Sequence, residues 1–145
     1  MLVEILPHIW IGSLNSLNNN IFFTDKSIRC VINLEKDMKF MEGEVSYTPI
    51  VQKNILKYNI IKMSEYLNKA TLYLYNNIKK SQSVLIVCKK GNLKSPVLIL
   101  AYLIRYSSLD KEVAKKIIKT KITDSFLNGI YGELALNNFI ESLKK

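Results

Sequence analysis

Arginine is scarce in this chain, and its scarcity narrows the field before any motif is read. Lysine and arginine together number 21 of the 145 residues, yet only Arg29 and Arg105 are arginine. A surface built for planar, bidentate reading of bases is therefore disfavoured. Cysteine is equally sparse. Cys30 and Cys88 are the only two, which excludes a disulfide framework or a zinc ligand set, and both are expected as reduced thiols. No cofactor or metal is implied. No apolar run reaches the roughly eighteen residues of a membrane span. The opening MLVEILPHIW has no charged leader with a long apolar segment, so no secretory signal is expected and an intracellular location, cytoplasmic or nuclear, is. Internal repeats and low-complexity linkers are absent as well.

What is present suits one globular domain spanning residues 1–145, because 48% of the residues are apolar and a second core would have too few. The formal charge of +9 favours acidic partners, whether phosphoproteins, RNA or anionic surfaces. A Lys, Asn and Ile bias of the source genome accounts for that excess equally well, so the charge names no partner.

The most informative stretch is Val84 to Tyr106, VLIVCKKGNLKSPVLILAYLIRY. Val84, Leu85, Ile86 and Val87 read as a buried strand, a loop containing Gly91 runs from Cys88 to Lys94, and Ser95-Pro96 opens a long apolar helix. In a strand, tight loop and helix of this kind, loop amides and the first helical N–H groups face one concavity, reinforced by the positive end of the helix dipole. An anion fits there. Cys88 at the mouth of that nest is a candidate nucleophile, Lys94 brings a positive charge and Ser95 a hydroxyl. Taken alone, Cys88 also reads as a small buried hydrophobe at a strand end. The spacing of Gly91, Lys94, Ser95 and Pro96 favours the chemical reading.

The rest of the chain predicts α/β layering with a mostly parallel central sheet flanked by helices, with a ligand at the carboxyl ends of its strands. Val3 to Gly12 reads as two short strands separated by Pro7, with His8, the only histidine, in the turn. A loop and short helix over residues 13–26 follow, then a buried strand over Ile28 to Leu34 that carries Cys30 in the core. Met38, Phe40 and Met41 are expected to cover an edge of that core. Val45 to Val51 reads as a marginal strand ending near Pro49. Between Asn54 and Lys80, the residues Ile60, Met63, Leu67, Ala70, Leu74 and Ile78 form a helical stripe. Leu109 to Lys121 reads as a helix capped by Asp110, with Val113, Ile117 and Ile118 inward and its lysines in solvent.

The loop residues resemble the cysteine-dependent dual-specificity protein phosphatases, which carry His-Cys-x-x-Gly-x-x-Arg-Ser at such a junction. Here the run is Val87-Cys88-Lys89-Lys90-Gly91-Asn92-Leu93-Lys94-Ser95-Pro96, followed by Ala101-Tyr102-Leu103. Pro7 to Gly12, the strand Val31-Ile32-Asn33-Leu34 and the run Gly129 to Leu134, which opens a last helix, extend the resemblance from about Ile5 to Ile140. It implies the phosphatase fold and a phosphate-binding loop of Cys88, Lys89, Lys90, Gly91, Asn92, Leu93 and Lys94. Three positions depart from the family. Val87 replaces the histidine, Lys94 the phosphate-gripping arginine, and Gln52, after Thr48-Pro49-Ile50-Val51, the aspartic general acid. Asp37, Glu44 and Glu65 are other carboxylates, but no spacing brings them to the cleft.

The resemblance therefore implies a catalytically degenerate member, a pseudophosphatase that binds phosphorylated or other protein partners. The alternative is a slow cysteine-dependent phosphatase acting on phosphoprotein or an RNA 5′-phosphate, with Cys88 attacking, Lys94 and the loop amides holding oxygens, and Ser95 assisting thiolate release. A protein-interaction module with no phosphate site is the third reading.

Overall fold

The computed structural model describes residues 2–34, 46–47 and 60–145, with backbone only at 46–47. A five-stranded sheet forms the middle layer: β1 (Leu2–Leu6), β2 (Ile9–Ser13), β3 (Ile28–Asn33), β4 (Ser46–Tyr47) and β5 (Ser83–Cys88), in the order β1-β2-β5-β3-β4. β1 and β2 form an antiparallel hairpin, and every other neighbouring pair is parallel. A mixed, mostly parallel sheet flanked by helices is thus the architecture, as the alternation of apolar runs predicts.

β5 lies between β2 and β3, and all six of its residues are buried. The two-residue period of a strand divides them between two cores. Val84, Ile86 and Cys88 join the larger cluster with four helices, α2 (Ile60–Lys79), α3 (Lys94–Tyr106), α4 (Lys111–Lys121) and α5 (Glu133–Ser142). Leu85 and Val87 face the other way, into a smaller cluster with Leu17, Phe22 and Phe23 from the 3₁₀ turn Leu14–Asn18 and the short helix α1 (Asn20–Asp25).

The helices follow their apolar spacing, with local corrections. In α2, Met63, Leu67, Ala70 and Leu74 are buried and Ile78 packs at the margin, whereas Ile60 is 45% exposed in the first turn. Asp110 caps α4 by accepting a hydrogen bond from Val113 N at 2.9 Å. The inward stripe of that helix is Ala114, Ile118 and Ile122, however, and Val113 is 42% exposed. The four-residue step from 114 to 118 to 122 sets the buried line, and a residue one position off it turns about 100° away. Arg105 joins α3 to α2, donating to the Asn68 carbonyl at 2.8 Å and to Thr71 Oγ1 at 3.0 Å. The expected helix before Ile60, the cover formed by Met38, Phe40 and Met41, and the strand beyond Tyr47 lie outside the described residues.

Gly12 is required by close approach. It pairs with Val87 next to the carboxyl end of β5, and a methyl group added to it would meet Ser16 Cβ at 2.9 Å and Leu2 Cδ2 at 3.0 Å, with Ser16 Oγ closer still. Overpacking of this kind costs about 1–3 kcal/mol. Gly12→Ala is therefore expected to lower the unfolding free energy by that amount, seen as a lower urea midpoint, and adding Ser16→Gly to recover part of it. Equal midpoints for natural protein and Gly12→Ala would contradict the packing described.

Candidate functional site

The site begins where the sheet ends. Cys88 is the last residue of β5, paired with Ser13 of β2, and Leu34 N donates to the Val87 carbonyl at 2.9 Å, so the strand is held on both sides up to its final turn. Beyond it Leu14 N donates to the Lys89 carbonyl at 3.5 Å, which keeps the loop against the 3₁₀ turn. Gly91 is buried with φ +83°, in the left-handed region that glycine enters without steric cost, and it turns the chain into α3.

α3 starts at Lys94, one residue before the expected Ser95-Pro96 start. No side chain caps its amino end and no acidic residue lies in its first turn. The positive end of this helix is therefore not neutralised by its own cap or first turn. Ser95 is fully buried there and its hydroxyl has no hydrogen-bond partner among the described residues. A buried hydroxyl in that state is costly unless some group is bound against it. The Cys88 side chain is 1% exposed, on the sheet face that packs against the large helices. Lys89 and Lys90 are exposed on the loop, Leu93 is 52% exposed, and Lys94 is half-buried.

Two further residues join the site that spacing alone did not mark. Asn92 donates to Asp124 Oδ2 at 2.7 Å, and Lys94 Nζ lies 5.9 Å from the centre of the Tyr131 ring. The segment between α4 and α5 thereby forms one wall of the loop. The only signal available was the polar Asp124-Ser125 pair ahead of Gly129, and nothing in it points 32 residues back to Asn92.

Val87 and Cys88, neighbours in the motif, face opposite ways. Val87 is fully buried against Leu17, Phe22 and Phe23, away from the thiol. Gln52, Asp37 and Glu44 fall outside the described residues, and Glu65 is exposed on α2. Among the described residues no group of three or more His, Cys, Asp or Glu side chains could hold a metal ion, and no helix is long and apolar enough to cross a membrane.

A hydrogen bond to a carboxylate on an exposed rim contributes about 1 kcal/mol. Asp124→Ala should accordingly speed amide exchange of residues 89–93 roughly fivefold while leaving that of β5 unchanged. Unchanged exchange in the loop would show that Asp124 does not restrain it.

The model of the family described as "Dual specificity phosphatase, catalytic domain" matches residues 9–141. Among solved structures, human DUSP28 superposes with a TM-score of 0.84 at 16% identity, over 99% of this chain and 95% of that one. The human tyrosine phosphatase-like serine/threonine/tyrosine-interacting protein gives 0.83 at 15%, over 99% and 98%. A leucine rich repeat and phosphatase domain containing protein from Entamoeba histolytica gives 0.76 at 19%, over 99% and 92%. At these identities the superpositions show a shared fold.

Proposed function

The chain belongs to the dual specificity phosphatase catalytic-domain family, and from that premise we propose that residues 1–145 form a single pseudophosphatase domain. It holds the phosphate group of a phosphorylated protein partner in the loop 88–94 and turns it over slowly or not at all. The observation that carries the binding half is the uncapped, acid-free end of α3 with the buried, unpartnered Ser95 hydroxyl beside it. Such a helix end is complementary to an oxyanion.

The loss of turnover follows from what stands at three positions. Lys94 keeps a positive charge but lacks the planar fork that grips two oxygens of a transferring phosphoryl group. Its ammonium also lies near the Tyr131 ring, 5.9 Å from the centre. Gln52 cannot donate a proton to a leaving alkoxide as a carboxylic acid does. Each change costs about a hundredfold, so together they remove about 10⁴, or about 5.5 kcal/mol of transition-state stabilisation. Val87 packs in the small apolar cluster and supplies no hydrogen bond to the loop. A relative of the same fold carries a name that describes a phosphatase-like, interacting protein, in keeping with a binding role.

The second reading, a slow phosphatase on phosphoprotein or an RNA 5′-phosphate, draws support from Cys88 and Ser95, both retained where β5 meets α3. In it the Cys88 thiolate attacks phosphorus, the bond to the leaving oxygen breaks, and that oxygen takes its proton from water. The loop amides hold the remaining oxygens, and the Ser95 hydroxyl stabilises the thiolate when water later displaces it. Only esters with good leaving groups would then react.

The natural protein is expected to bind a phosphopeptide and to hydrolyse a small aryl phosphate near the background rate. Lys94→Arg with Gln52→Asp should raise hydrolysis at least about a hundredfold, and Cys88→Ser should cancel the gain without abolishing binding. Ordinary phosphatase rates in the natural protein, lost in Cys88→Ser, would overturn the reading in favour of an active enzyme. Failure of phosphopeptide and inorganic phosphate alike to bind would leave a pure interaction module. Val87→His is a separate matter. It puts an imidazole among Leu17, Phe22 and Phe23 and should cost about 1–3 kcal/mol of stability, read from the urea midpoint.

A further inference from the structure

Eight large apolar side chains are exposed among the described residues, and three of them gather near the loop 88–94. Leu93 stands on the loop itself. Leu127 and Leu134 stand on the stretch that runs from α4 into the first turn of α5. Exposed apolar residues scattered singly call for no explanation, but a cluster rimmed by charge marks an interaction site.

Two contacts tie that stretch to the loop, from Asn92 to Asp124 at 2.7 Å and from Lys94 Nζ to the Tyr131 ring centre at 5.9 Å. Leu127 falls between these anchors, three residues past Asp124 and four short of Tyr131. Three residues of chain reach at most about 10 Å, so Leu127 stays close to the rim on which Leu93 follows Asn92.

The exposure of Leu127 is built into a hydrogen-bonded turn. Ser125 donates to the Ile122 carbonyl through N at 3.0 Å and through Oγ at 2.7 Å, and Lys119 Nζ donates to the Ser125 carbonyl at 2.8 Å. Gly129 N donates to the Phe126 carbonyl at 3.3 Å. Phe126 has φ +59°, in the left-handed region where a bulky side chain is an outlier. It packs against the large core cluster, and its neighbour Leu127 is left 68% exposed. A turn with no further task would carry glycine at 126 and a polar residue at 127. Strain of this kind accompanies binding sites.

We infer that the phosphorylated segment of the partner carries a large apolar residue next to its phosphorylated one, and that this residue packs on Leu127 and Leu93. The inference rests on the phosphate-binding reading of loop 88–94. Charge on the rim favours an apolar flank over an acidic one. Asp124 holds a carboxylate there, bonded to Asn92, and an acidic neighbour of the phosphoresidue would meet a like charge. The exposed Lys89 and Lys90 lie on the loop, where the phosphate group itself is held.

Two peptides decide the matter, identical except for leucine or alanine on both sides of the phosphoresidue, each prepared with phosphotyrosine and with phosphothreonine. The leucine peptide should bind the natural protein about tenfold more tightly than the alanine peptide. Leu127→Ser should bring the two affinities together, whereas Leu127→Met should keep them apart. Ile21→Ser, an equally exposed change on α1 across the sheet, should keep them apart as well. Equal binding of the two peptides by the natural protein, or a preference that survives Leu127→Ser, would overturn the inference and leave the phosphate site standing. Failure of every peptide and of inorganic phosphate to bind would overturn that site and the inference together. A dimer of the free protein that Leu127→Ser dissociates would assign the surface to a second copy of the chain, and that too would overturn it.

Discussion

Burial of β5 between two parallel neighbours is the constraint on which the rest of this molecule depends. A strand hydrogen-bonded on both edges and covered on both faces has no freedom of register, because a slip of one residue would exchange its two apolar rows. Val84, Ile86 and Cys88 must face the large helices, and Leu85 and Val87 must face α1. The thiol is consequently set at one height and on one face, and the chain leaving it has a single way to continue, through Gly91 into α3. Placement of a thiol at a strand end next to a helix amino terminus is thus a by-product of core packing.

The same register explains why departures from the family differ in kind. Lys94 lies on the loop side of the sheet, at the start of α3 and outside both apolar clusters. Val87 lies under α1, and its side chain completes an apolar cluster with Phe22 and Phe23. A histidine there would need a hydrogen-bonding partner among aromatic and aliphatic groups. A histidine at position 87 would therefore act against stability, whereas a change at Lys94 leaves both apolar clusters as they are.

The two ends of the sheet also divide the electrostatics. At the carboxyl end the α3 dipole and the lysines at 89, 90 and 94 make a field suited to an anion, with Asp124 anchoring the rim through Asn92. At the amino end the lining of a second concavity includes both carboxylates, Glu4 and Asp25, and cations, Lys26 and Arg29, together with serine hydroxyls. The high net charge of the chain is thus not spread evenly over its concavities, and a composition-level argument about acidic partners applies to the first end and not to the second.

The amino-acid sequence by itself determined the strands, the helices, the Asp110 cap and the strand, loop and helix around Cys88, because those depend on periodicity and on the short-range habits of glycine, proline and capping residues. The continuous apolar run of residues 84–87 already implied a buried strand, and among the described residues the helical stripes differ from the burial at Val113 and Ile60. Only the tertiary structure decided that Val87 points away from the thiol and that Asp124 and Tyr131 reach back to the loop. Such relations join residues tens of positions apart, and local pattern carries no record of which surfaces meet once the hydrophobic faces have closed on one another.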